Sequence, residues 1–203
     1  MPNMSDQTVL DGAAACLESG GVVFVPTDTV FGLAALPSKP DAVARVFALK
    51  DRPANRNLPV MVSNVDQLQT IGAIVSDSAQ RLIASDYVPG PLSVVLALGE
   101  GERPEWLAGR EEIAFRMPND RFMLDLLDRV GPLFVTSANR HGMGTLGSVA
   151  EAVAQLAGTP DFVVEGKECG SVPSTLVNCR LSPPVIERPG AVSEEEISKV
   201  LGA

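Results

Sequence analysis

Apolar positions in this chain follow two spacings, and the places where one gives way to the other divide it into helices and strands. Leu10, Ala13, Ala14 and Leu17 recur at i, i+3, i+4 and i+7, which lines one face of a helix. Ser5 or Asp6 can cap its start, and Gly20 and Gly21 end it. "VVFV" at 22–25 then reads as a buried strand. Asp41 opens a second helix with Val43, Val46 and Phe47 on one face, and Pro53 ends it by pushing the residue before it out of helical geometry. "LPVMVS" (58–63), "LSVVLAL" (92–98), "EIAFRMP" (112–118) and "PLFVTS" (132–137) read as strands, as do "DFVVE" (161–165), "STLVNC" (174–179) and "PVIE" (184–187). Residues 65–88 read as two short helices running into the turn "PGP" at 89–91, and "NDRFMLDLLDRVG" (119–131) as a helix with Phe122, Leu126 and Val130 on one face. Ser148 with Glu151 and Ser193 with Glu196 have capping-box spacing, predicting helices over 148–157 and 193–201.

Strands and helices mix without strict alternation, several strands are sequence neighbours, and no repeat or linker interrupts the chain. The expectation is one domain over residues 1–203, of α/β class in an α+β-like form with a mixed sheet, rather than a doubly wound parallel sheet. The 45% hydrophobic and 20% charged content of the 203 residues is that of an ordinary globular chain. "MPNMSDQTVLDG" lacks the basic and apolar regions of a signal peptide, and the apolar runs are too short for a membrane span. A cytoplasmic protein without membrane contact is expected.

Three cysteines without CxxC spacing and a single histidine, His141, argue against a disulfide framework, a zinc site or any multi-histidine metal centre. The net charge of −9, from 25 acids against 16 bases, argues against broad binding to a nucleic-acid backbone. It also makes a local basic cluster more informative. "KDRPANR" is such a cluster, with Lys50, Arg52 and Arg56 within seven residues. Helix-end cations suit the negative end of the helix dipole; the alternative is a clamp for a triphosphate. No G-x-x-x-x-G-K-[ST] and no strand-linked G-x-G-x-x-G occurs, so an ATP site here is of another type.

Three strands end in short hydroxyl or amide residues: "VPTDT" at 25–29, "VTSANRHG" at 135–142 and "VPSTLVN" at 172–178. Each alone is accounted for by turn chemistry; together they are suited to holding phosphate, carboxylate or hydroxyl groups. In order, "PTDTVFGL", "KDRPANRNLPVMV", "PGPLSVVL", "FRMPND", "TSANRHG", "PSTLVN" and "ERPGAV" resemble the YrdC-like family of threonylcarbamoyl-AMP synthases, from about residue 8 to residue 201. The resemblance implies a single domain with a twisted mixed sheet flanked by helices and a concave, positively lined surface.

The implied activity is condensation of L-threonine, bicarbonate or CO2, and ATP to threonylcarbamoyl-AMP and pyrophosphate, with Mg2+ accompanying ATP. The implied downstream partner is a tRNA-modifying threonylcarbamoyl transferase, with weak or no RNA binding by this chain. Residue by residue, the resemblance assigns Thr27, Thr29 and Phe31 to the threonine pocket beside Asp28, and Arg116 to the threonine carboxylate. It assigns Lys50, Arg52 and Arg56 to the triphosphate, with Lys50 and Arg52 stabilising the leaving pyrophosphate. Ser93, Ser137, Asn139, Ser174, Thr175 and Arg188 match nucleotide-contacting positions. Asp28 is a secondary candidate for a general base, and His141 is read as a surface residue.

The chain departs from the family pattern at Phe31 (commonly Tyr), Met61 (His in some members), His141 (usually Ser) and Asn178 (commonly Asp). These departures bear on the amino acid more than on ATP. A divergent paralogue without threonine chemistry is therefore the main rival, beside an RNA-binding module and the carbamoyltransferases that carry YrdC-like domains.

Overall fold

The computed structural model describes residues 4–53, 57–166 and 169–202. The predicted caps at Ser5 and Asp6 and the predicted triphosphate contact Arg56 lie outside the described side chains. In chain order the elements are α1 (Met4–Glu18), β1 (Val23–Val25), β2 (Gly32–Ala35), α2 (Pro40–Lys50), β3 (Val60–Met61), α3 (Asp66–Thr70), β4 (Ala73–Ile74) and α4 (Asp77–Ile83). There follow β5 (Leu92–Leu98), β6 (Glu112–Arg116), α5 (Arg121–Val130), β7 (Leu133–Ser137), α6 (Val149–Gln155), β8 (Phe162–Val163), β9 (Thr175–Asn178), β10 (Val185–Arg188) and α7 (Glu194–Leu201). No helix among the described residues is long and apolar enough to cross a membrane.

All ten strands join one sheet in the order β10-β9-β5-β6-β3-β7-β2-β1-β8, with β4 paired to β5. The sheet is mixed: β5 runs parallel to β9 and β3 to β6, whereas β5–β6, β2–β7 and β9–β10 are antiparallel. Alternate residues of each strand feed opposite faces. Phe24, Leu33, Val60, Val94, Phe115, Phe134 and Val177 join one core with side chains of α2, α4, α6 and α7. Val23, Val25, Ala34, Met61, Leu133 and Val135 face the other way, onto Leu17 of α1 and Met123, Leu126 and Leu127 of α5. Those two helices cover only part of the second face. Where they stop, Ser93, Val95, Ala114, Arg116 and Leu176 form the floor of a cavity.

One strand lies where the sequence predicted no element, and three local expectations are corrected. Gly32–Ala35 is a strand that pairs with β1 and β7; buried at every position, it has no polar alternation, and Gly and Ala are weak strand formers. Ala73–Ile74 pairs with β5 rather than continuing a helix. On α5 the fully buried residues are Met123, Leu126 and Leu127, with Phe122 and Val130 only partly buried at the edge of the same core. Ser148 stands at the N-cap of α6 without a side-chain cap, whereas Ser193 and Glu196 form the complete box on α7.

Candidate active site

The cavity has a volume of about 530 Å³, within the range of small-molecule sites. Its first wall is the turn between β1 and β2. The Thr27 hydroxyl donates to Val30 O at 2.7 Å and accepts from Thr29 N at 3.1 Å. Thr27 therefore shapes the turn, which leaves Asp28 and Thr29 to face Arg116.

Arg116 ends β6 directly opposite Ser93. Its Nε donates to Gly90 O at 2.9 Å, one terminal nitrogen to Thr29 Oγ1 at 2.7 Å, and the other to Asp28 Oδ1 at 2.6 Å. Arg116 is 5% exposed and lines the cavity. Burial pulls its pKa below the usual arginine value, against the opposing pull of Asp28. A guanidinium has five N–H donors, so one hydrogen on each terminal nitrogen remains after these three bonds. Two donors are therefore left for an anion in the cavity that Arg116 lines.

A second wall comes from β9 and β10. Arg188 Nη2 donates to Ser174 O at 2.8 Å and to Ser174 Oγ at 3.0 Å, and Ser174 Oγ shares a hydrogen bond with Ser93 Oγ at 2.8 Å. The third wall holds Arg52, which reaches Thr136 Oγ1 at 3.4 Å and Asn57 O at 3.3 Å, and Ser137, whose hydroxyl donates to Asn139 Oδ1 at 2.6 Å. Among the described residues, four arginines line the cavity: Arg52, Arg110, Arg116 and Arg188. In a chain of net charge −9, this concentrates positive potential where an anion would lie.

The cavity thus brings together Thr27, Thr29, Phe31, Arg52, Ser93, Arg116, Ser137, Ser174 and Arg188 from the sequence expectation, with Met61 beside them. Lys50, Asn139 and Thr175 stand behind its lining. Lys50 is 3% exposed; its ammonium donates to Ser137 O, to Asn139 O at 2.7 Å and to Asn139 Oδ1 at 3.2 Å. The loop after β7 is docked on the C-terminus of α2, where His141 N donates to Lys50 O at 2.7 Å, occupying a helix-end carbonyl that lacks an intrahelical donor. That docking turns Lys50 inward. The Thr175 hydroxyl donates to Val192 O at 2.6 Å and accepts from Val192 N at 3.0 Å, fastening β9 to the segment before α7. His141 has an exposed side chain.

Burial, and after it the charge of Arg52, hold the Lys50 ammonium below its usual 10.5, at about 8. The folded state binds this proton less tightly than the unfolded chain does. Stability is therefore gained as the pH rises from about 8 towards 10.5, and is lacking below about 8. In denaturant melts across that window, the wild type is expected to gain stability over Lys50→Met as the pH rises. A difference that stays flat would mean that the ammonium is solvated.

Sequence reasoning missed Arg110, Glu112 and Glu187, all of which line the cavity. Glu112 had a signal: it lies on β6 at two-residue spacing with Ala114 and Arg116, hence on the same face. Arg110 precedes that strand and packs its guanidinium 4.9 Å from the centre of the Phe134 ring. Glu187 had no signal, because its direction depends on a strand irregularity.

The model of the Sua5/YciO/YrdC family, described as telomere recombination, matches residues 15–190. Over 192 residues the chain is 33% identical to the threonylcarbamoyl-AMP synthase of Pyrococcus abyssi (strain GE5 / Orsay), covering 94% of this chain and 56% of that protein. It is also 33% identical over 179 residues to the threonylcarbamoyl-AMP synthase of Pseudoalteromonas translucida (strain TAC 125), covering 85% of this chain and 94% of that one. The crystal structure of P. abyssi Sua5 complexed with L-threonine matches with a TM-score of 0.87 at 31% identity, over 99% of this chain and 59% of that one. The chain spans little more than half the length of the Pyrococcus protein and nearly all of the Pseudoalteromonas one. A sequence match that runs from α1 to the glycine after Arg188, on a fold shared at that level, makes this chain a member of the Sua5/YciO/YrdC family.

Proposed function

We propose that the chain is a threonylcarbamoyl-AMP synthase, taking L-threonine, CO2 or bicarbonate, and ATP to threonylcarbamoyl-AMP and pyrophosphate. The observation that carries this reading is Arg116: a buried guanidinium at the cavity floor, held by Asp28, Thr29 and Gly90, with one N–H on each terminal nitrogen left for an amino-acid carboxylate. Relatives of matching sequence bear that activity as their name, and the matching P. abyssi structure contains L-threonine.

The threonine amine, once its ammonium has lost a proton, attacks CO2; the N–C bond forms as one C=O π bond opens onto oxygen, and the nitrogen gives a second proton to water, leaving a carbamate. A carbamate oxygen then attacks the α-phosphorus of ATP, and the bond to the β-phosphate oxygen breaks to release pyrophosphate. No covalent enzyme intermediate is required, so the protein contributes orientation, worth about 7 to 11 kcal/mol when reactants are well aligned, and charge stabilisation. Arg116 holds the carboxylate. Asp28, engaged by that guanidinium, is a positioning residue. Arg188, with Ser174 and Ser93, suits the α-phosphate side, and Arg52, on the opposite wall, suits the leaving pyrophosphate. Lys50 acts through the Ser137–Asn139 backbone that it anchors.

Magnesium would arrive on the triphosphate oxygens. Among the described residues no group of three or more His, Cys, Asp or Glu side chains converges to hold a metal ion, and no step here depends on it. The product is a mixed anhydride that hydrolyses readily, which suits direct use by a tRNA-modifying transferase in the cytoplasm. The net charge of −9 leaves the gripping of RNA to that partner.

The test is incubation with ATP, magnesium, bicarbonate and isotopically labelled L-threonine, followed by rapid mass spectrometry. Labelled threonylcarbamoyl-AMP that disappears without bicarbonate is expected; ATP binding without product would defeat the reading in favour of a divergent paralogue. Arg52→Ala is expected to lower turnover at least about tenfold with the fold intact, since a charge-assisted contact to the leaving group is lost. Near-normal turnover would remove Arg52 from the pyrophosphate.

A further inference from the structure

Glu187 and Arg188 are adjacent in β10, yet both line the cavity. Neighbours in a regular strand point to opposite faces. The register explains the exception: Ile186 pairs with Val177 and Arg188 with Leu176, which leaves Glu187 as the extra residue of a bulge. Bulges next to functional sites re-aim side chains in this way. The re-aimed carboxylate is also fixed. Its Oε1 accepts from Asn178 Nδ2 at 2.6 Å, and Asn178 is itself held by Arg180 N, which donates to its Oδ1 at 2.9 Å. No donor among the described residues meets Glu187 Oε2.

A fixed carboxylate in a cavity lined by four arginines repels phosphate and accepts hydrogen bonds from hydroxyl or amine groups. From these observations we infer that Glu187 is the ribose-binding residue of the nucleotide site, its carboxylate accepting from the vicinal 2′- and 3′-hydroxyls. The inference rests on the reading of the cavity as an ATP site. Position favours the sugar over the base. Arg188, the adjoining residue of β10, is the cation on the α-phosphate side, and the ribose is the group joined directly to that phosphate. Carboxylates hold ribose hydroxyls in other nucleotide sites by the same chemistry. Asn178, Arg180 and the bulge are then the positioning elements that aim the acceptor.

The consequence is discrimination between ribo- and deoxyribonucleotides. Calorimetric titration with ATP, 2′-deoxy-ATP and 3′-deoxy-ATP, on the wild type and on Glu187→Ala, reads it directly. The wild type is expected to bind ATP about tenfold more tightly than either deoxy analogue, the scale of a lost hydrogen bond to a charged group. Glu187→Ala is expected to weaken ATP about a hundredfold, since both hydroxyl contacts are lost, and each deoxy analogue about tenfold, since each loses the one contact it keeps, so that the preference collapses. A variant that keeps the wild-type preference, or that weakens all three nucleotides equally, overturns the assignment. Failure of the wild type to bind any of the three would instead overturn the ATP reading, and this inference with it.

Discussion

Replacing Arg116 with methionine is expected to abolish threonine-dependent product formation and to lower stability by about 3 to 5 kcal/mol, the penalty for breaking a buried ion pair by removing one partner. The Arg116 and Asp28 side chains are only 6% and 13% exposed. Without the guanidinium, the largely covered Asp28 carboxylate is left without its cation, beside a Thr29 hydroxyl that has lost the Arg116 donor. Two effects are therefore superimposed, and a double variant separates them. Arg116→Met with Asp28→Asn removes both charges and is expected to recover most of the stability in urea melts, while product formation stays absent. Recovery of activity in the double variant would show that Arg116 supports the fold without touching threonine. Loss of stability without loss of activity in the single variant would do the same.

Gly190→Ala is expected to be the most damaging small substitution outside the buried core. A Cβ at this position would lie 2.5 Å from Pro173 O, Ser174 C and Thr175 N, and backbone atoms cannot swing aside as a side-chain terminus can. The chain after β10 passes this close because Ala191 N donates to Pro173 O at 3.0 Å and the Thr175 hydroxyl brackets Val192. The methyl group would push these segments apart, at an expected loss of about 3 kcal/mol or more, beyond the usual range for overpacking because backbone must move. Ser174 would be displaced with them, loosening its bonds to Arg188 and Ser93. Urea melts and ATP titrations should therefore fall together. A variant with the wild-type melting midpoint and ATP affinity would show that the segment has room, and would detach Gly190 from the nucleotide site.

What was legible in the sequence follows from how local each signal is. The apolar, valine- and leucine-rich run of β5 and the capping box on α7 depend on residues a few positions apart, so the chain itself displays them. The order of the polar strand ends was legible for the same reason, and it pointed to most of the cavity wall. Strand β2 was not, because a segment buried on both faces loses the alternation that marks a half-buried strand, and its Gly and Ala supply no strand preference in its place. Ser148 shows the converse: the capping-box spacing is present, but the cap hydrogen bond is not formed.

The site divides along the same line. Sequence by itself determined which chemical groups this protein has to work with: a strand-end Thr-Asp-Thr, a basic helix exit, and Arg116 at the end of a strand. Only the tertiary structure decided how each is used. Lys50 is turned onto the Ser137–Asn139 backbone because the loop after β7 docks on the end of α2. Thr175 is taken up by Val192 because the chain after β10 returns against β9. Glu187 faces the cavity because a bulge adds one residue to β10. Residue type sets what a side chain can bond to; its direction is set by backbone packing between segments as far apart in sequence as 50 and 139, and no local pattern encodes that.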